Sequence, residues 1–174
     1  MIRYIVAAIF AACAAIPAMS ASLDTEARTF PSIDGGTLEL SGVVLVTNTA
    51  SLCAFSPQYD ELQALHEDYG PRGLTVLAVP SDDFRQELAS EEEVKEFCSI
   101  NFGLTLPMSV ITHVRGEAAH PFYRWLSEEH GIEHSWNFHK VLIGPGGDVL
   151  GAWGSATRPS SRTITRAVEA ALGS

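Results

Sequence analysis

The sequence predicts an α/β domain, a central mixed sheet with helices on both faces. Two runs carry that prediction. Residues 42–47 (GVVLVT) and 74–79 (LTVLAV) are continuous apolar stretches, the mark of strands buried on both faces rather than one. Helical spacings alternate with these strands, and a final hairpin and helix complete a mixed arrangement.

The elements follow in order. Residues 24–41 read as an irregular lead-in with a hairpin around Gly35-Gly36. After the first buried strand, residues 56–69 (SPQYDELQALHEDY) place Tyr59, Leu62, Leu65 and Tyr69 at helical spacing. Pro57 suits a first helical turn, and Gly70-Pro71 ends the helix. Residues 74–79 form the second strand. Ser90 before Glu91, Glu92 and Glu93 is an N-cap with acids in the first turn, opening a helix to about Phe102. Residues 107–111 read as a short third strand and 120–130 as another helix. Residues 136–143 and 149–153, joined through Gly144-Pro145-Gly146-Gly147-Asp148, read as a hairpin. Residues 161–172 are a closing amphipathic helix. There are no internal repeats. This is the layout of a thioredoxin-like domain with one inserted helical segment.

Composition narrows the function. The chain has 174 residues, 46% hydrophobic and 18% charged, which suits one globular domain and argues against disorder. Lys plus Arg number 11 against 21 acidic residues, a net charge of −10. A nucleic-acid binder is excluded as the expectation, because the long-range field has the wrong sign. Arg3 is the sole charge before Asp24, and residues 4–17 are almost entirely apolar. A positive start followed by an apolar run of about 14 residues reads as a signal peptide over residues 1–20. It is short of the ~20 residues of a spanning helix, so no stable membrane insertion is expected after cleavage. Ala18-Met19-Ser20 offers small residues for cleavage, and Ser20-Ala21-Ser22 fits nearly as well. Lipidation at Cys13 is the minor alternative. Cleavage leaves residues 24–174 as the domain of an exported, periplasmic bacterial protein. The mature chain has 10 basic and 21 acidic residues, a net −11, and two cysteines, Cys53 and Cys98.

The cysteines carry the chemistry. No CxxC occurs, and the spacing suits neither a disulfide scaffold nor a zinc site. Cys53 lies between the first buried strand and its helix, where free N–H groups stabilise a thiolate. Position alone leaves a reactive thiol and an inert cysteine equally open. His130, His134 and His139 are expected to face solvent. A transient metal contact through His130 and His134 at i, i+4 is a minor option, and no cofactor is expected.

The stretch Asn48-Thr49-Ala50-Ser51-Leu52-Cys53-Ala54-Phe55-Ser56-Pro57-Gln58-Tyr59 resembles the active-site segment of the glutathione peroxidase family. Further motifs follow in register over roughly residues 25–172. These are Val79-Pro80 with Phe84, Gln86 and Glu87, then Ser90, Glu92-Glu93 and Glu96-Phe97-Cys98, and Phe102-Gly103 with Pro107-Met108. Ala119-His120-Pro121 and Trp136-Asn137-Phe138 complete the set.

The resemblance implies that Cys53 is the peroxidatic nucleophile, in the place of selenocysteine in some relatives. Gln86, Trp136 and Asn137 would be its polar companions. Their N–H donors polarise a desolvated thiolate and stay neutral at every working pH. Taken singly, Trp136 is a core aromatic, Asn137 a turn residue and Gln86 a surface polar group. Cys98 matches the resolving cysteine of the two-cysteine, non-selenium, thioredoxin-dependent branch, and would pair with oxidised Cys53 after local unfolding. Its other reading is a buried core cysteine. The sequence departs from the family pattern at Ser81, at Asp82-Asp83, at Leu52 and Ala54, and by one residue missing before Gln86, where Arg85 stands alone. The short segment between Pro121 and Trp136 implies a monomer.

The expected activity is reduction of hydrogen peroxide or organic hydroperoxides, with a thioredoxin-like protein or another thiol as reductant. The alternatives are an exported peroxide sensor or relay that passes its disulfide to a client protein, and a domain with an unreactive Cys53.

Overall fold

A computed structural model describes residues 23–173. The proposed signal peptide, residues 1–20, lies outside them. Among the described residues no helix is long and apolar enough to cross a membrane.

The chain begins with a hairpin, β1 (Thr29–Pro31) and β2 (Thr37–Glu39), antiparallel and turned at Gly35 and Gly36 as expected. The two apolar runs become β3 (Val43–Thr49) and β4 (Leu74–Pro80), parallel neighbours with Val43 opposite Leu74. Between them runs α1 (Gln58–Tyr69), followed by a 3₁₀ turn at Gly70–Arg72. The chain then forms α2 (Glu91–Phe102), α3 (Pro121–His130), β5 (Lys140–Ile143), β6 (Val149–Trp153) and α4 (Arg162–Ala171). The sheet order is β4-β3-β5-β6, with β5 antiparallel to both β3 and β6. The sheet is mixed, as the sequence predicts.

Alternation along β3 sends Val43 and Leu45 to one face and Val44 and Val46 to the other. On the first face they pack with Leu62 of α1, Val94 and Cys98 of α2, and Ile164 and Val168 of α4. On the second face Phe122 and Leu126 of α3 pack with Phe30 from the N-terminal hairpin. Helices therefore cover both faces. Cys53 and Cys98 belong to the same apolar layer.

Capping explains where α2 starts and stops. The Ser90 side chain accepts from the Glu93 N–H at 3.3 Å, and Gly103 closes the helix at φ 59°.

Two predicted strands are corrected. Residues 107–111 form no strand, only isolated bridges of Met108 with Ala78 and of Ser109 with Ser32. Pro107 offers a carbonyl to the Ala78 N–H at 3.0 Å but has no N–H to continue the ladder. The strand expected from Trp136 begins instead at Lys140. Residues 136–139 are diverted into a loop in which Phe138 takes φ 59°.

The histidines are also corrected. His134 is 5% exposed, not solvent-facing. Its ring meets Tyr123 edge-on at 4.7 Å and His139 at 4.5 Å, while His130 packs on Trp125 at 4.5 Å. Gly131 ends α3 at φ 63°, so His130 and His134 do not share a helix face. Among the described residues no cluster of three or more His, Cys, Asp or Glu side chains is placed to hold a metal ion.

Candidate active site

Cys53 occupies a tight turn between β3 and α1 and is 4% exposed. Its carbonyl accepts from the Ser56 N–H at 2.9 Å, and further turns at Phe55 and Ser56 lead into α1, whose N-cap is Pro57. The donor aimed at the sulfur comes from this turn rather than from the helix proper. The Phe55 N–H stands 3.5 Å from Cys53 Sγ. A thiolate accepts such a bond more strongly than a neutral thiol does.

Gln86 reaches the same turn through its backbone, its carbonyl accepting from the Leu52 N–H at 2.9 Å. Its side-chain oxygen accepts from Asn137 Nδ2 at 3.1 Å. Arg85 makes this approach possible by adopting φ 56°, the left-handed turn a glycine would take without strain. With that turn, Gln86 is bonded both to the Cys53 turn and to Asn137.

Asn137 is fully buried, and its Oδ1 has no hydrogen-bond partner among the described residues. Trp136 is 40% exposed, with its ring against Phe84 at 5.4 Å. It is therefore not the core aromatic that its sequence context would suggest in isolation. Beyond Phe84 the Arg115 guanidinium lies over the ring at 5.3 Å. Leu52, beside Cys53, is also exposed.

Asn48 holds the loop carrying Trp136 and Asn137. Its Nδ2 donates to the Trp136 carbonyl at 3.1 Å, and its Oδ1 accepts from the His139 N–H at 3.0 Å. Its carbonyl accepts from the Phe138 N–H at 2.6 Å. Asn48 was missed as a functional residue. The available signal was an asparagine closing a buried apolar strand, where a polar side chain needs partners.

Glu87 was missed as well. Its buried carboxylate takes the N–H groups of Ser51 and Leu88, each at 2.9 Å, on Oε1, and Oε2 has no partner among the described residues. It joins the Cys53 turn to the segment before α2. Burial raises its pKa above the usual carboxylate value, against the pull of those N–H groups.

Cys98 sits on α2 at 2% exposure, and both cysteines are free thiols. Burial pushes the Cys98 thiol up to about 11. The Tyr59 hydroxyl opposes the rise, and the Glu87 carboxylate adds to it. The five predicted site residues thus fall into two groups. Gln86 and Asn137 are hydrogen-bonded to each other, and Gln86 is also bonded to the Cys53 turn, while Trp136, next to Asn137 in the chain, sets its ring against Phe84. Cys98, on α2, shares the apolar layer with Cys53 but, among the described residues, makes no hydrogen bond to Gln86, Trp136 or Asn137.

The profile of the glutathione peroxidase family matches residues 29–127. The chain is 40% identical over 122 residues to the glutathione peroxidase-like peroxiredoxin gpx1 of Schizosaccharomyces pombe, covering 67% of this chain and 77% of the relative. It is 39% identical over 128 residues to the hydroperoxy fatty acid reductase gpx1 of a Synechocystis strain, covering 67% and 76%. Among solved structures, Trgpx in apo form superposes with a TM-score of 0.65 at 29% identity, over 86% of this chain and 97% of that one. A putative thiol:disulfide interchange protein DsbE from Chlorobium tepidum, at 19% identity and a TM-score of 0.61, covers 87% and 100% and shows the shared thioredoxin-like fold. On these grounds the chain belongs to the glutathione peroxidase family, as a thiol peroxidase on a thioredoxin-like fold.

Proposed function

We propose that the protein reduces hydrogen peroxide or organic hydroperoxides through Cys53 and closes its cycle through Cys98. The observation that carries this reading is Gln86, which binds the Cys53 turn through its backbone and Asn137 through its side chain. The Cys53 thiolate attacks the terminal peroxide oxygen and breaks the O–O bond. Cysteine is oxidised to sulfenic acid, and the leaving alkoxide or hydroxide takes a proton to depart as alcohol or water. The amides of Gln86 and Asn137 and the Trp136 indole N–H supply neutral donors as charge moves from sulfur to oxygen. The Cys98 thiol then displaces water from the sulfenic acid and forms a Cys53–Cys98 disulfide. A thioredoxin-like dithiol reduces that disulfide by exchange and is itself oxidised.

The same reading takes residues 1–20 as a signal peptide, the mature protein as periplasmic and the working unit as a monomer. Arg3 and the apolar run after it support the first two, and the short segment between Pro121 and Trp136 supports the third.

The test is intact mass with thiol counting after one equivalent of hydrogen peroxide, on wild type and Cys98→Ser. The expected result is loss of two thiols in wild type and a sulfenic adduct on Cys53 in the variant. Unchanged thiols in both would remove the peroxidase reading.

A further inference from the structure

We propose that Lys140 is a positioning residue for the peroxidatic site. Its ammonium clamps the loop after β6 onto the start of α1, and Ser155 of that loop fixes the main chain of Asn137. The inference rests on the reading of Asn137 as a partner of Cys53.

Lys140 opens β5 between Thr47 of β3 and Trp153 of β6, and it is fully buried. Its Nζ donates to the Thr157 carbonyl at 2.8 Å, to the Ser155 carbonyl at 3.4 Å and to the Gln58 side-chain oxygen. Gln58, the first residue of α1, donates through Nε2 to the Ser155 carbonyl at 2.8 Å. Ser155 Oγ in turn donates to the Asn137 carbonyl at 2.6 Å. One cation therefore ties α1, entered directly from the Cys53 turn, to the loop that holds Asn137.

Among the described residues, no carboxylate is among the oxygens Lys140 bonds. An apolar side chain would fill the space without the cost of desolvating a charge. What lysine adds is three donors aimed at two elements at once. The charged and titratable groups facing it are Glu61 on α1, itself paired with Arg158 after β6, and His139 immediately before it.

Burial pushes the Lys140 ammonium down to about 8, with Glu61 opposing the shift. Above that pH the clamp loses its charge and one donor. The unfolded chain keeps the proton to about 10.4. Between those values the unfolded state binds more protons, so Lys140's own contribution to global stability rises with pH. Activity should fall in the window where that contribution rises. A lysine needed only for folding would leave the activity flat there.

The test follows single-turnover loss of the Cys53 thiol to hydrogen peroxide from pH 6 to 10, with thermal unfolding alongside. Wild type is compared with Ser155→Ala, Lys140→Met, their double variant and Asn137→Ala. Ser155→Ala keeps every acceptor of Lys140, because those on Ser155 and Thr157 are main-chain atoms. It should slow Cys53 oxidation about tenfold, the weight of one well-made hydrogen bond. Lys140→Met should be at least as slow and should lack the alkaline fall near pH 8 that wild type shows. The double variant should be no slower than Lys140→Met alone. Wild-type rates in Ser155→Ala and Lys140→Met beside a slow Asn137→Ala would overturn the clamp and leave the site standing. A wild-type rate in Asn137→Ala would remove the role of Asn137, and the clamp with it. Should Lys140→Met not fold, Ser155→Ala and the wild-type pH profile decide alone, and either a wild-type rate in that variant or no alkaline fall overturns the proposal.

Discussion

Cys53 and Cys98 share one apolar layer and differ in what surrounds each sulfur. Cys53 has an N–H donor from Phe55 at 3.5 Å. Cys98 has been stripped of water, and burial with the nearby Glu87 carboxylate holds it at about 11. At pH 7.5 its thiolate fraction is on the order of one in a thousand or less, and only the thiolate attacks peroxide or an alkylating agent. Under native conditions iodoacetamide should therefore label Cys98 about a hundredfold or more slowly than it labels the same cysteine in the unfolded chain, read by peptide mass at timed quenches. Equal labelling would show that α2 opens freely in the reduced protein. The sign of the pH effect follows from the same shift. The folded state holds the Cys98 proton more tightly than the unfolded chain, so this contribution to stability is complete below about pH 9 and is lost as pH rises towards 11. Glu87→Gln should lower the Cys98 titration midpoint, because it removes a negative charge from beside a forming anion. Labelling of Cys98 as a function of pH measures that midpoint.

The loop of residues 131–139 is shaped by partners outside it. Asn48 bonds both Trp136 and His139, and its carbonyl takes the Phe138 N–H. Those bonds hold Phe138 at φ 59°, a conformation that costs a non-glycine residue about 1–2 kcal/mol and needs outside support. Asn48→Ala should cost about 2–4 kcal/mol and slow Cys53 oxidation together, since it strands buried backbone groups and frees Trp136. Chemical denaturation and single-turnover kinetics would check both effects. The same loop contains an acid-sensitive point. Burial pushes His134 down to about 3, and repulsion from His139 adds to the shift. The folded state thus binds fewer protons than the unfolded chain, so this contribution is whole above about pH 6.5 and is lost as pH falls towards 3. Stability should decline by up to about 3 kcal/mol between pH 6.5 and 4 on this account. In His134→Gln that part of the decline should vanish. Parallel melting curves at both pH values in the two proteins provide the comparison, and an equal decline in both would place the acid sensitivity elsewhere.

At the scale of the whole molecule, what the sequence revealed is what neighbours along the chain decide. The apolar runs of β3 and β4, the Ser90 cap, the Gly35-Gly36 turn and the stop at Gly70-Pro71 are local signals, and each appears in place. Residues 107–111 failed as a strand because Pro107 removes a donor from the ladder. The start of β5 was misplaced because Asn48, 88 residues before Trp136, commands that loop. The site's residue types were legible through the resemblance of its motifs. The bond between Gln86 and Asn137 spans 51 residues and is legible only in the fold. The burial of both cysteines in one layer is likewise a tertiary fact, and it sets the last expectation. Cys53 and Cys98 are buried free thiols on different elements, so the proposed Cys53–Cys98 disulfide should require one of those elements to open locally. The element most easily spared is α2. Its fully buried residues are Val94 and Cys98, Ile100 is exposed, and its ion pair from Lys95 to Asp34 lies at the surface, where such pairs add little. By contrast, Cys53 is bound into the turn that leads to α1, whose Tyr59, Leu62 and Leu65 are core residues. Oxidation should therefore open residues 90–104 while β3, β4 and β5 stay closed. Hydrogen exchange on the reduced and peroxide-treated protein would show this as protection lost at least tenfold within α2 and unchanged in the sheet. Cys98→Ser, which stops at the sulfenic acid, should keep α2 protected after the same treatment. Loss spread evenly over the molecule would mean that disulfide formation strains the whole domain, and loss confined to residues 50–57 would mean that the nucleophile's turn moves instead.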